Sequence, residues 1–256
     1  MTLRVIVDNA YRDRMAATGL RAYGDFLALC DRGEAISSSR SGRTFRVPLG
    51  DGASNIDGFL KVHDYSYWRR SRWRRDKGAL EAANYAIMRH RCGLNTPDVI
   101  AYGARTGGLR YREGFILTRA IDGAQSLDAY ADAHGGTISE GIAIAVAALT
   151  RQMHAAGFCH VDLQWRNILV AGGEAGGAVQ LCLLDSPRGG LRTTRVSQWH
   201  GRVRDLSSLY KGARHRLTPR AQLRWLKTYL GGRRLTNVDR AMVRVILRDR
   251  ASKDRT

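Results

Sequence analysis

The stretch His160-Val161-Asp162-Leu163-Gln164-Trp165-Arg166-Asn167 sets a carboxylate and a carboxamide five residues apart, between a helix and a short apolar strand. The helix is legible upstream. Ile142, Val146, Leu149 and Met153 fall on one face at helical spacing, Thr137-Ile138-Ser139-Glu140 reads as its capping box, and Gly157 stops it. Downstream, Ile168-Leu169-Val170 and Val179, Leu181 and Leu183 read as two short strands joined by the glycine-rich run AGGEAGGA. Such a hairpin delivers a second carboxylate, Asp185, at a strand end. The sequence therefore predicts three oxygen-bearing side chains around one loop, with no His/Cys cluster among them.

The loop fits the pattern H-x-D-L-x-x-x-N of a kinase catalytic loop, lacking only the arginine usual at the position of Val161. The spacing has a mechanical reason. The aspartate has to reach the acceptor hydroxyl, while the asparagine five residues on has to turn back and hold a metal on the phosphates. Asp162 is thus the candidate base, and Asn167 and Asp185 are the candidate metal ligands. Asp185 is followed by Ser186-Pro187 instead of Phe-Gly, so an aromatic switch cannot be read across. His160 is expected to pack the loop. Asp205 is expected at the start of the next helix, where its carboxylate accepts backbone N–H groups of the loop or simply favours the helix dipole.

The first part of the chain reads differently. Phe45, Val47 and Leu49 alternate ahead of an Asp51-Gly52 turn, and Gly58 to His63 reads as the return strand. A helix follows from about Asp76 to Cys92, then short strands near Val99 and from Gly114 to Thr118. The expectation is an α+β, bilobal, protein-kinase-like fold: a strand-rich N-lobe over residues 1–120 and a helical C-lobe over residues 121–256. Lys61, within the return strand, stands where such a fold puts its phosphate-contacting lysine, and Glu81 on the following helix is its ion-pair partner. No G-x-G-x-x-G occurs; Arg40-Ser41-Gly42-Arg43-Thr44 is the best candidate for the phosphate cover. Between Lys61 and Glu81, Trp68, Arg69, Arg70, Arg72, Trp73, Arg74 and Arg75 interleave rings with guanidinium groups. That run suits either an anionic acceptor or membrane surface, or a solvated loop.

Charge points the same way. Against 23 acidic residues stand 42 basic ones, a net charge of +19, nearly all of it arginine. Such a field draws polyanions and carries no information on fold; part of the arginine bias reflects base composition on the bland reading. The four cysteines, Cys30, Cys92, Cys159 and Cys182, are too scattered for a metal site and read as reduced thiols. The N-terminal residues show no secretory h-region, and no apolar run is long enough to span a bilayer. A cytoplasmic protein, soluble or peripheral, is expected.

Beyond the catalytic loop, the chain resembles the lipopolysaccharide core kinases, the inner-core heptose and Kdo kinases. The resemblance runs through Gly19-Leu20, Tyr23-Gly24-Asp25-Phe26, Phe59-Leu60-Lys61, Thr96-Pro97-Asp98-Val99, Arg204-Asp205-Leu206 and Arg224-Trp225-Leu226-Lys227. It implies transfer of a phosphoryl group from ATP, with Mg²⁺ (or Mn²⁺ in its place), to a sugar hydroxyl of an anionic glycolipid at the inner face of the inner membrane. It implies Asp162 as base, Asn167 and Asp185 as metal ligands, and Lys61 with Glu81 as the nucleotide anchor; no nucleic-acid partner is expected. Competing readings are a serine/threonine protein kinase, a small-molecule kinase, and a pseudokinase that binds anionic lipid or nucleic acid without turnover. The short span from Asp185 to Asp205 and the missing A-P-E argue against the first. The basic charge argues against a kinase for polycations, and the intact Lys61/Asp162/Asn167/Asp185 set argues against the pseudokinase.

Overall fold

In the computed structural model, residues 1–39, 42–50, 55–65, 75–108, 110–172 and 179–253 are described. The chain divides into two compact units, Met1–Tyr85 with Pro97–Ile121, and Ala86–Thr96 with Asp122–Thr256.

The first unit is built on an antiparallel six-stranded sheet. Its strands are β1 (Thr2–Val7), β2 (Glu34–Ser39), β3 (Gly42–Leu49), β4 (Ile56–Asp64), β5 (Val99–Gly107) and β6 (Arg110–Arg119), in the order β1-β5-β6-β4-β3-β2. The alternation in β3 is real: Phe45, Val47 and Leu49 turn inward with Leu60 and Val62 of β4 and Phe115 and Leu117 of β6. Two short helices, α1 (Arg12–Ala17) and α2 (Tyr23–Ala28), cover that face, and Phe26 stacks on Phe115 with ring centroids 5.1 Å apart. The period of two then puts Lys61 on the opposite face, in one row with Thr44 and Ile116. The strands near Val99 and Gly114 are much longer than expected from their apolar residues, because arginine, tyrosine and glycine positions continue the ladder to Gly107. The proposed Asp51-Gly52 turn lies outside the described residues.

Helix α3 (Lys77–His90) follows. Asp76 caps it, its Oδ1 accepting the Ala79 N–H at 3.0 Å. Gly78 is needed where it stands: a Cβ there would meet the Phe115 carbonyl oxygen at 2.3 Å. That close approach seats the first turn of α3 against β6.

In the second unit a short β7 (Gln125–Ser126) precedes α4 (Leu127–Ala133) and α5 (Glu140–Ala155). The cap of α5 differs from the capping box read at Thr137. Ser139 is the N-cap, its hydroxyl accepting the Ile142 N–H at 3.3 Å, and Thr137 instead donates back to the His134 carbonyl. Gly157, at φ 78°, ends the helix as expected. Next come β8 (Phe158–Cys159), β9 (Ile168–Ala171), β10 (Gln180–Leu183) and β11 (Gly190–Leu191). β9 and β10 pair antiparallel, while most of the glycine-rich link, residues 173–178, lies outside the described residues. Helices α6 (Arg195–Arg216), α7 (Pro219–Tyr229) and α8 (Asn237–Lys253) complete the unit, with Thr218 capping α7 and Pro219 at its first turn. Leu206, Tyr229, Leu230, Met242 and Ile246 close with Ala147 into a second core.

Candidate active site

The loop from His160 to Asn167 is held by backbone bonds that close on each other. Gln164 N–H donates to the Asp162 carbonyl and Asn167 N–H to the Gln164 carbonyl, both at 2.9 Å. The Asn167 side-chain amide donates to the same Asp162 carbonyl at 2.8 Å, which leaves its oxygen as the atom available to a cation. Trp165 anchors the loop from beneath, its indole N–H on the Leu209 carbonyl at 3.0 Å. Gly212 permits that packing, since a Cβ there would stand 2.6 Å from the Trp165 ring. Asp162 is half-buried, and its carboxylate receives the Gln164 amide at 2.5 Å.

Asp185 comes to this loop through the hairpin. Leu184 N–H donates to the Asn167 carbonyl at 2.9 Å, so the residue just before Asp185 is tied to Asn167 itself. Val161 (φ 72°) and Asp185 (φ 54°) are the two non-glycine residues with positive φ among those described. Aspartate tolerates the left-handed region; for a β-branched valine it is a strained conformation, and such strain gathers at functional sites.

Asp205 explains how the strained turn is kept, and it stands elsewhere than expected. It lies in the middle of α6 rather than at a helix start, so the dipole argument does not apply to it. Fully buried, it accepts His160 N–H at 2.8 Å and Val161 N–H at 2.6 Å, one on each carboxylate oxygen. The His160 ring is equally buried and meets the Leu184 carbonyl through Nε2 at 2.8 Å. Burial lowers its pKa, keeping the imidazole neutral. A neutral ring with Nε2 as donor ties loop to hairpin.

In the first unit, Lys61 Nζ lies 3.7 Å from Glu81 Oε2. Glu81 is almost fully buried, and the hydroxyl of Tyr85, one helical turn on, donates to its other oxygen at 2.7 Å. Tyr85 was not anticipated from sequence, although its i+4 spacing from Glu81 was the available signal. Of the proposed phosphate cover, Gly42, Arg43 and Thr44 open β3, while Arg40 and Ser41 lie outside the described residues. Of the arginine-rich run, Trp68, Arg69, Arg70, Arg72, Trp73 and Arg74 also lie outside them; Arg75 is exposed.

His154, Cys159 and Asp205 form the one compact group of metal-type donors among the described residues, all three buried. Their donors are already engaged with protein. Asp205 holds the loop and His154, and burial pushes the Cys159 thiol up to about 11, so it keeps its proton. The group is structural.

A strand-rich unit carrying a lysine paired with a buried glutamate, and a helical unit carrying Asp162, Asn167 and Asp185 on a loop and hairpin, define a phosphotransferase of the protein-kinase-like fold. The model of the lipopolysaccharide kinase (Kdo/WaaP) family matches residues 67–229, most of the chain, and the chain belongs to that family. A solved structure described as WaaP in complex with acyl carrier protein has the same fold, with a TM-score of 0.68 at 22% identity over 96% of this chain and 97% of that one. No curated protein sequence matches. No described helix is long and apolar enough to cross a membrane.

Proposed function

We propose that this kinase transfers the γ-phosphoryl group of ATP to a sugar hydroxyl of the lipopolysaccharide inner core, on heptose or Kdo. The observation that carries the reading is the knot of bonds joining Asp162, Asn167 and the segment before Asp185, found in a member of this family. Asp162 orients the acceptor hydroxyl and takes its proton. Lys61, held by Glu81, contacts the nucleotide phosphates. The Asn167 amide oxygen and the Asp185 carboxylate are hard oxygen donors and suit Mg²⁺, or Mn²⁺ in its place. Bound there, the ion would offset charge on the phosphates. The charge of +19 favours an anionic glycolipid and a peripheral position on the inner face of the inner membrane. The test is purified protein with γ-labelled ATP and inner-core glycolipid, alongside mass spectrometry of envelope glycolipid with and without the gene. Label in the glycolipid and one phosphate lost from the envelope are expected. Label passing instead to a protein or a free small molecule would move the assignment to one of the competing kinases.

One further observation favours a second partner. The helical unit holds an apolar cavity of about 310 Å³, lined by Ile138, Val146, Leu206, Trp225, Leu226 and Ile246 among others. Its size and lining suit part of an acyl chain, and the similar solved structure is a complex with acyl carrier protein. We propose that acyl carrier protein, loaded with an acyl chain, binds this unit. Retention of the acylated carrier over the unacylated one on immobilised protein checks it, and equal retention removes the cavity from the account.

A further inference from the structure

Asp205 receives more than the catalytic loop. The Nε2 atom of His154, the penultimate residue of α5, lies 3.1 Å from Asp205 Oδ2, and the other ring nitrogen lies 2.9 Å from the hydroxyl of Tyr229, the last residue of α7. All three groups are buried, at 0%, 2% and 7% exposure, so water does not compete for these bonds. The partners dictate the direction of each bond. A carboxylate can only accept, so Nε2 carries the hydrogen. In a neutral imidazole Nδ1 then has a lone pair, and the Tyr229 hydroxyl is the donor that fills it. Burial pushes the Tyr229 hydroxyl up to about 12, which keeps that donor protonated.

We propose that Tyr229 is a positioning residue for phosphoryl transfer: by donating to Nδ1 of His154 it pins the ring in the orientation that aims Nε2–H at Asp205, and so holds the carboxylate that keeps the Val161 turn. The chain of contacts is Tyr229, His154, Asp205, Val161, and the next residue is Asp162. Without that donor the buried Nδ1 lone pair is unsatisfied, and the ring is released to turn until Nε2–H no longer points at Asp205. The carboxylate would then lose a partner that fixes it, and with it the direction of the two loop N–H groups it accepts. Tyr229 is itself fixed independently of this bond. Its ring stacks on Trp225 with centroids 5.5 Å apart, and it belongs to the core of the last three helices. Removing the hydroxyl alone therefore tests the relay without dismantling the packing.

The inference rests on the assignment of the Asp162 loop as the catalytic one, and the experiment separates the two. Tyr229→Phe, His154→Gln and His154→Leu are compared with wild type in steady-state kinetics, and the imidazole nitrogens of wild type and Tyr229→Phe are read by ¹⁵N NMR. The Nε2–H tautomer is expected in both proteins, with the Nδ1 resonance of His154 moving downfield in Tyr229→Phe as its lone pair loses the hydroxyl donor. A fall in kcat of about tenfold, with KM for ATP unchanged, is expected in Tyr229→Phe. His154→Gln, whose amide can donate to Asp205 and accept from Tyr229, should retain most of kcat, whereas His154→Leu should not. An unchanged Nδ1 resonance or unchanged kcat in Tyr229→Phe overturns the proposal, as does equal loss in the Gln and Leu variants. The NMR measurement needs no turnover, so an inactive wild type would defeat the functional assignment while the Nδ1 result still decided the relay.

Discussion

Val161 gives its backbone N–H to Asp205 at 2.6 Å while standing at φ 72°, a conformation that a β-branched residue adopts only under constraint. The left-handed turn points two successive N–H groups, of His160 and Val161, at one carboxylate, and the next side chain is Asp162. Asp205 thereby converts local strain into a fixed direction for the proposed base.

Asp205→Asn should break this arrangement, although it is nearly isosteric. An amide presents one oxygen and one NH₂, so one loop N–H would face a donor. Leaving a buried donor unsatisfied costs about 1–3 kcal/mol. A lower melting temperature is expected, with kcat reduced more than tenfold. Thermal melts and steady-state kinetics check it, and an Asn variant with wild-type kcat would show that the turn holds without the carboxylate.

Asp162→Asn should behave in the opposite way for stability. The side chain is half-buried, and among the described residues its side-chain partner is Gln164. The fold should persist while turnover falls by about 10²–10⁴, the usual contribution of a positioned base. Nucleotide affinity should stay close to wild type, measured by titration calorimetry. Undiminished transfer by this variant would remove the base role from Asp162.

Much of this site was legible in the sequence because its chemistry is local. The Asp162–Asn167 spacing, the hairpin strands and the Gly157 stop each depend on residues close in the chain. Lys61 and Glu81 were legible as a strand lysine and a helix glutamate, and the seating of the first turn of α3 on β6, next to β4, brings them to 3.7 Å. What stayed hidden was long-range. Nothing near residue 229 announces a partner at 154, 75 positions away, and a buried histidine late in an apolar helix reads as core. The misplaced helix start at Asp205 has a similar origin. Val196, Trp199 and Val203 stand at helical spacing ahead of it, and α6 begins at Arg195, ten residues earlier than expected; what gives Asp205 its role in mid-helix is a contact with His160, 45 positions away.

The last helix offers a pH test. Asp239 accepts Arg233 through both oxygens, at 2.5 and 2.9 Å, and Thr236 through its backbone and hydroxyl, at 2.8 and 2.7 Å. These bonds, Arg233 foremost, hold its carboxyl well below the usual carboxylate range. A carboxylate depressed in the folded state contributes stability above its unfolded pKa, near 4, and loses it as pH falls toward the folded value. Asp239→Asn should therefore melt lower than wild type at neutral pH, and the gap should narrow progressively below about pH 4. Melting curves from pH 7 down to pH 3 check it; a gap independent of pH would assign the effect to packing alone.

The final prediction concerns Asn167 and Asp185. Two protein oxygens make a poor cage for a hard, strongly hydrated cation, so the ion should arrive with the nucleotide, whose phosphates supply the remaining negative oxygens. Asp185→Ala removes the one charged ligand of the pair. Mg²⁺ should strengthen ATP binding to wild type and do so far less in this variant, with transfer nearly abolished. Asn167→Asp keeps an oxygen where the amide oxygen was, yet it loses the N–H that bonds the Asp162 carbonyl at 2.8 Å. It should hold metal and ATP but transfer slowly, because the loop loses a tie on the residue that carries the base. Calorimetric titration with ATP, with and without Mg²⁺, separates these outcomes. Equal Mg²⁺ enhancement in wild type and Asp185→Ala would mean that the hairpin ending at Leu183 does not deliver the metal ligand. The site would then reduce to the Asp162–Asn167 loop alone.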